Sequence, residues 1–127
     1  MVKQGDIIWI NFNPQAGHEQ SGRRPALVVS NTSFTRITKK AAMVYPITKV
    51  DKRKISGKFF FRLPFHVNLD DQTQTSGVIL CDQAKIIDIQ ARAFEFIEKA
   101  PKEITLEVID IINGFIEKDD DEADETN

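Results

Sequence analysis

At 127 residues the chain has the length of one domain, and with 41% hydrophobic residues it can bury a core. Its single cysteine, Cys81, excludes an internal disulfide, no CxxC or His-rich cluster points to structural zinc, and no apolar run nears the roughly 20 residues that span a bilayer. The net charge of −2 hides an asymmetry: residues 117–127 hold seven acids and one lysine, a net of −6, leaving residues 1–116 at +4, a weak pointer to a polyanionic partner.

The N-terminal Met1-Val2-Lys3-Gln4-Gly5-Asp6 runs directly into apolar sequence and lacks a signal-peptide core, so a soluble cytoplasmic protein is expected. The first predicted strand covers about residues 5–12, through Ile7-Ile8-Trp9-Ile10, and Asn13-Pro14 ends it. The second covers about 25–31, through Ala26-Leu27-Val28-Val29. Between them lies the chemically densest stretch of the chain, Gly17-His18-Glu19-Gln20-Ser21-Gly22-Arg23-Arg24. It gathers an imidazole, a carboxylate, a carboxamide, a hydroxyl and two guanidiniums on a loop whose glycines let the backbone turn and approach a ligand. Guanidiniums pair bidentately with phosphate and imidazole titrates near neutral pH, so the loop points to phosphate-ester chemistry.

Residues 32–39 suggest a short helical turn beginning near Thr32 or Ser33, and Ala42-Met43-Val44-Tyr45-Pro46-Ile47 a third strand with Pro46 near its end or on an edge. Residues 48–58 form a basic loop with Lys49, Lys52, Arg53, Lys54 and Lys58, followed by Phe59, Phe60 and Phe61; it is suited to a polyanionic partner, or its phenylalanines enter the core. Phe65-His66-Val67 reads as a strand, with His66, like Trp9, an ordinary structural residue. Val78-Ile79-Leu80-Cys81 starts another, taken as continuing through Lys85-Ile86-Ile87, and Phe94-Glu95-Phe96-Ile97-Glu98 is the last. The period then changes: Pro101 suits a first helical turn, and Ile104, Val108, Ile111, Ile112 and Phe115 fall on one helical stripe over about 102–116. The helix covers the sheet, and Ile109 and Ile116 widen its apolar face enough to pair two subunits. The expected architecture is α+β, mainly β: a small barrel of strongly bent antiparallel sheet with a C-terminal helix. One domain spans 1–116, and the acidic tail 117–127 is either a disordered, solubilising end or a competitor with nucleic acid for the basic body.

From about Gly5 to Phe115 the chain resembles the MazF/PemK/Kid toxins of bacterial toxin–antitoxin pairs. The resemblance rests on Gly5-Asp6-Ile7-Ile8-Trp9, on the loop Gly17 to Ala26 with its Arg24-Pro25 pair, on Pro46-Ile47-Thr48, and on Ser76-Gly77-Val78 followed by Cys81-Asp82-Gln83. The forms Ala16-Gly17-His18-Glu19-Gln20 and Cys81-Asp82-Gln83 look like the Kid/PemK branch in particular. The resemblance implies an SH3-like barrel, a homodimer, and an endoribonuclease that needs no metal or other cofactor. It further implies cutting of single-stranded messenger RNA at short motifs, leaving 2′,3′-cyclic phosphate and 5′-hydroxyl ends, and a cognate antitoxin whose acidic segment occupies the RNA groove.

Carried onto this chain, the resemblance assigns catalysis to Arg24, Thr48, His18 and Asp82. Arg24 would stabilise the extra charge on a pentavalent phosphate, and the Thr48 hydroxyl would bond the scissile phosphate. His18 is the natural acceptor of the 2′-hydroxyl proton, while Glu19 orients it or serves as the base. Asp82 is a base or holds Arg24 in place, the second being favoured because an Arg neighbour weakens a carboxylate as a base; the branch has Arg two positions earlier, where this chain has Leu80. Glu19, Gln20, Ser21, Arg23, Lys49 and Gln83 complete the expected RNA contacts, with Arg23 open between phosphate contact and a solvated side chain. The competing functions are a non-catalytic toxin that poisons DNA gyrase, as the similarly folded CcdB group does, and a non-enzymatic RNA-binding barrel.

Overall fold

A computed structural model describes residues 1–12, 22–49, 65–69 and 71–120. Among the described residues seven strands and two helices follow in the order β1 (Asp6–Asn11), β2 (Arg23–Val28), α1 (Thr32–Thr38), β3 (Ala41–Thr48), β4 (His66–Leu69), β5 (Gly77–Leu80), β6 (Lys85–Asp88), β7 (Glu95–Lys99) and α2 (Lys102–Phe115). The strands pair antiparallel in the order β4-β5-β3-β2-β1-β7, with β6 joined to β3 alongside this path. Strand β3 is therefore shared: Ala41–Val44 pair with β6, while Ile47 and Thr48 pair with β5. One strand serving two partners on the same side curls the sheet into a small, partly closed barrel.

The continuous apolar runs reflect burial on both faces of this sheet. Ile7, Leu27, Tyr45 and Ile47 belong to one core, which α2 completes with Ile104 and Val108. Ile8, Ile10, Ala26, Val28 and Val44 point the other way, into a second core with Val2, Phe12, Ile87 and Ile89. Successive residues on β1 and β2 thus feed opposite cores, as a period of two requires.

Several boundaries differ from the sequence expectation. The second strand starts at Arg23, because residues 23–27 pair with Asn11–Ile7, and stops at Val28, because Asn31 caps α1 by accepting the Phe34 N–H at 2.9 Å. Pro46 is buried and lies opposite Ala26, inside a non-edge strand. It is tolerated because, on its other side, Tyr45 and Pro46 fall between the β6 and β5 pairings. Val78–Ile87 is not one strand: a turn closed by the Gln83 N–H to the Leu80 carbonyl, at 3.1 Å, separates β5 from β6. Pro101 caps α2 rather than entering it, and Phe115 and Ile116, though on the apolar stripe, are exposed. Residues 50–64, which hold most of the basic loop and the three phenylalanines, lie outside the described residues, as do 121–127 of the acidic tail.

Truncating Ile104 to Ala removes a buried contact between α2 and the sheet and is expected to cost about 2–5 kcal/mol. The exposed Ile37→Ala on α1 should stay within about 0.5 kcal/mol. Urea unfolding of both variants checks the pair.

Candidate functional site: a cationic groove beside the β3–β5 junction

A groove of about 510 Å³ opens where β1, β2, β3 and β7 meet the loop before β5. Its lining is Trp9 from β1, Arg23, Arg24 and Pro25 from β2, Ile47 and Lys49 at the end of β3, Gln74–Ser76 from the loop, and Ile97 from β7. Arg23, Arg24 and Lys49 line it and no carboxylate among the described residues does. The potential therefore favours an anion, and the Trp9 ring offers an apolar face beside the guanidiniums.

The two arginines differ. Arg24 lies opposite Ile10 in the β1–β2 ladder and is half-buried. Arg23 is tethered: one nitrogen donates to the Ala93 carbonyl at 3.1 Å, another pairs with Glu95 at 3.3 Å, and the guanidinium lies 5.8 Å from the Trp9 ring centre. Its side chain is thus neither purely solvated nor committed to a ligand alone. Gly22, at φ +76°, makes the backbone turn by which the polar loop enters β2, and its carbonyl accepts the Phe12 N–H at 2.8 Å.

Thr48 ends β3 between the groove-lining Ile47 and Lys49 and pairs with Val78. What fixes it there is Gly77, at φ +132°: a Cβ on Gly77 would fall 2.3 Å from the Thr48 carbonyl oxygen. Only glycine permits this approach of β5 to β3, which gives Ser76-Gly77-Val78 a physical reason. Upstream, the Glu98 carboxylate accepts the Gln74 N–H at 3.1 Å, the Thr75 N–H at 2.8 Å and the Thr75 hydroxyl at 2.8 Å. Burial pushes the Glu98 pKa up, but these three bonds outweigh it and leave the group below its ordinary value.

Asp82 is not among the residues that line the groove. Its carboxylate lies 3.7 Å from His66 Nε2, on a turn that lines no part of the groove, and Gln83 lies on the same turn. His66 in turn packs edge-on against Phe65 with ring centres 4.9 Å apart. The Cys81 thiol is pushed up to about 12, first by burial and then by Asp82 and Glu107, so it is no thiolate nucleophile near neutral pH. His18, Glu19, Gln20 and Ser21 lie outside the described residues. The structure thus brings Arg23, Arg24 and Lys49 into one groove, with Thr48 at the adjoining end of β3 but not among the lining residues, and adds Trp9, Gln74, Thr75, Ser76 and Ile97, none of them expected as site residues. Trp9 and Ser76 had a sequence signal, as members of the Gly5-Asp6-Ile7-Ile8-Trp9 and Ser76-Gly77-Val78 motifs, although Trp9 was expected to be structural.

Fold and groove define a small, partly closed β-barrel with an anion-suited cleft, and comparison with known proteins supplies its family. The family described as PemK-like, MazF-like toxin of type II toxin-antitoxin system matches residues 3–116, and the chain belongs to this family. It is 37% identical over 109 residues to the endoribonuclease PemK of Escherichia coli, covering 85% of this chain and 77% of that protein. It is 38% identical over 103 residues to the endoribonuclease toxin MazF of Escherichia coli K12, covering 80% and 83%. The crystal structure of MazF from Deinococcus radiodurans superposes with a TM-score of 0.76 at 34% identity, covering 91% of this chain and 96% of that one. A MazE–MazF complex from the same organism gives 0.71 at 34%, covering 91% and 95%.

Two outcomes follow from this geometry. Gly77→Ala should lose more than about 1 kcal/mol in urea unfolding, since any side chain there meets backbone in a left-handed conformation. The lowered Glu98 pKa contributes stability that is present above its unfolded value, near 4.3, and lost as pH falls through the folded value. Thermal melts from neutral to acid pH should therefore show a smaller acid loss for Glu98→Gln than for wild type.

Proposed function

We propose that this protein is a toxin of a toxin–antitoxin pair that cuts single-stranded RNA, chiefly messenger RNA, without a metal ion. The observation that carries the proposal is the groove, in which Arg24 and Lys49 provide positive charge at the end of β3 occupied by Thr48, in a chain of the PemK-like, MazF-like family. A phosphodiester brings negative charge and a neighbouring 2′-hydroxyl. In the reaction the 2′-oxygen bonds to phosphorus, the bond from phosphorus to the 5′-oxygen breaks, one proton leaves the 2′-hydroxyl and one reaches the departing oxygen. The products are a 2′,3′-cyclic phosphate and a 5′-hydroxyl.

Arg24 stabilises the charge that builds on the phosphoryl oxygens, a role its permanently protonated, forked guanidinium suits. Thr48 donates its hydroxyl to the phosphate, and Lys49 and Arg23 hold the flanking backbone. The proton acceptor is His18, helped by Glu19: both sit on the segment leading into Arg24, whereas Asp82 faces His66 and lines no part of the groove. Gln20, Ser21 and Gln83 contribute RNA contacts. A second copy of the chain completes the groove, using apolar side chains left exposed on α2 and at its C-cap, Leu106, Phe115 and Ile116. A cognate antitoxin closes it with an acidic segment, as charge complementarity requires and as the MazE–MazF complex of a relative suggests. The protein works in the cytoplasm, where messenger RNA is; no helix among the described residues is long and apolar enough to cross a membrane.

The proposal is tested by incubating the protein with a long RNA in EDTA and mapping the new ends. Cuts at one short motif, with cyclic phosphate on one side and 5′-hydroxyl on the other, are expected. A folded protein that leaves varied RNAs intact would contradict it and favour a toxin that poisons a protein target. The acidic tail, taken as competing for the cationic groove, predicts faster cleavage at low salt after deletion of residues 117–127; an unchanged rate leaves the tail a solubilising end.

A further inference from the structure

We propose that Glu98 is a positioning residue for the groove: its carboxylate clips Gln74–Ser76 to the sheet and thereby sets the wall shared with Arg24 and Lys49. This rests on taking the groove as the RNA site. Glu98 lies on β7, an edge strand, opposite Ile7 and beside the point where the β1–β7 register shifts between Ile7 and Ile8. The preceding residue, Ile97, is the extra residue at this shift and lines the groove; Glu98 does not, its carboxylate being taken up by Gln74 and Thr75. A carboxylate inside the groove would repel phosphate; behind the wall it is free to organise it.

Residues 71–76 carry no strand pairing of their own. Across 23 and 24 positions of sequence, Glu98 accepts the Thr75 and Gln74 backbone N–H groups and the Thr75 hydroxyl, and Thr73 adds a brace by donating its hydroxyl to the Thr75 carbonyl at 2.6 Å. Thr75 is 8% exposed, so losing the acceptor would leave a buried N–H and hydroxyl without a partner. The segment then runs into Gly77, pressed against the Thr48 carbonyl. A shift of the loop therefore reaches both the wall and the backbone of Thr48. Glu98→Gln keeps the size of the side chain but offers one acceptor oxygen and turns an NH₂ toward donors, so at least one of the three bonds is lost. Thr75→Val removes the hydroxyl and leaves the two backbone bonds.

The experiment measures cleavage kinetics of a long single-stranded transcript in EDTA for the full-length wild type, Glu98→Gln and Thr75→Val, with amide NMR spectra of the same proteins. For Glu98→Gln the Gln74 and Thr75 amide resonances should move, KM should rise roughly tenfold and kcat stay within about threefold, with a smaller rise for Thr75→Val. Displaced amides with an unchanged KM, or unmoved amides, would overturn the proposal. Should Glu98→Gln fail to fold, Thr75→Val decides the matter on the same readouts. A wild type that cuts no RNA would defeat the ribonuclease function, not the clip. The clip is then judged by fluorescence anisotropy with a labelled 20-nucleotide poly(dT): weaker binding by Glu98→Gln supports it, and equal binding overturns it.

Discussion

Strand β3 pairs with β2 through Val44–Pro46, with β6 through Ala41–Val44 and with β5 through Ile47–Thr48. Handing the strand from one partner to another bends the sheet, and the handover depends on a single close contact, Gly77 against the Thr48 carbonyl. Here β5 cannot approach β3 with any side chain between them. From this junction follow the curl that lets two cores form, the place where Lys49 leaves the sheet, and the start of the loop wall at Ser76. Fold and site are thus joined at one backbone contact, and a change at Gly77 acts on both.

The groove separates charge from organisation. Cations line it, while the carboxylates near it are turned to structural use: Glu95 tethers Arg23 and Glu98 holds Gln74 and Thr75. Arg24, a half-buried residue of the groove wall, lies in a strand held on both sides by β1 and β3. Strand pairing fixes where its backbone sits; in the proposed reaction, such preorganisation is how an electrostatic contribution to catalysis avoids reorganisation.

Much of this was legible in the chain, and what was not has physical causes. The apolar runs at Ile7–Ile10 and Ala26–Val29 mark strands because both faces are buried, and the stripe Ile104–Val108–Ile111 marks α2. Arg24 and Lys49 stand out because cations at strand ends next to polar loops suit phosphate. The break between β5 and β6 was hidden because Cys81, buried at 2% exposure, continues the apolar pattern into the turn. Gln74, Thr75 and Ser76 resemble any polar turn; only the tie from Glu98, more than 20 residues away, gives them a place in the wall. The neighbour of Asp82 was hidden for the same reason: sequence proximity to β5 says nothing about which side chain it faces, and the one 3.7 Å away is His66 on β4.

The most direct single measurement is the rate of RNA cleavage in EDTA by wild type and Arg24→Ala, both shown to be folded. If Arg24 stabilises charge at the phosphate, the variant should fall by about 10²–10³ in kcat while still binding RNA, the loss typical of one well-placed donor. Cleavage by Arg24→Ala at the wild-type rate would contradict the assignment of this groove as the catalytic site.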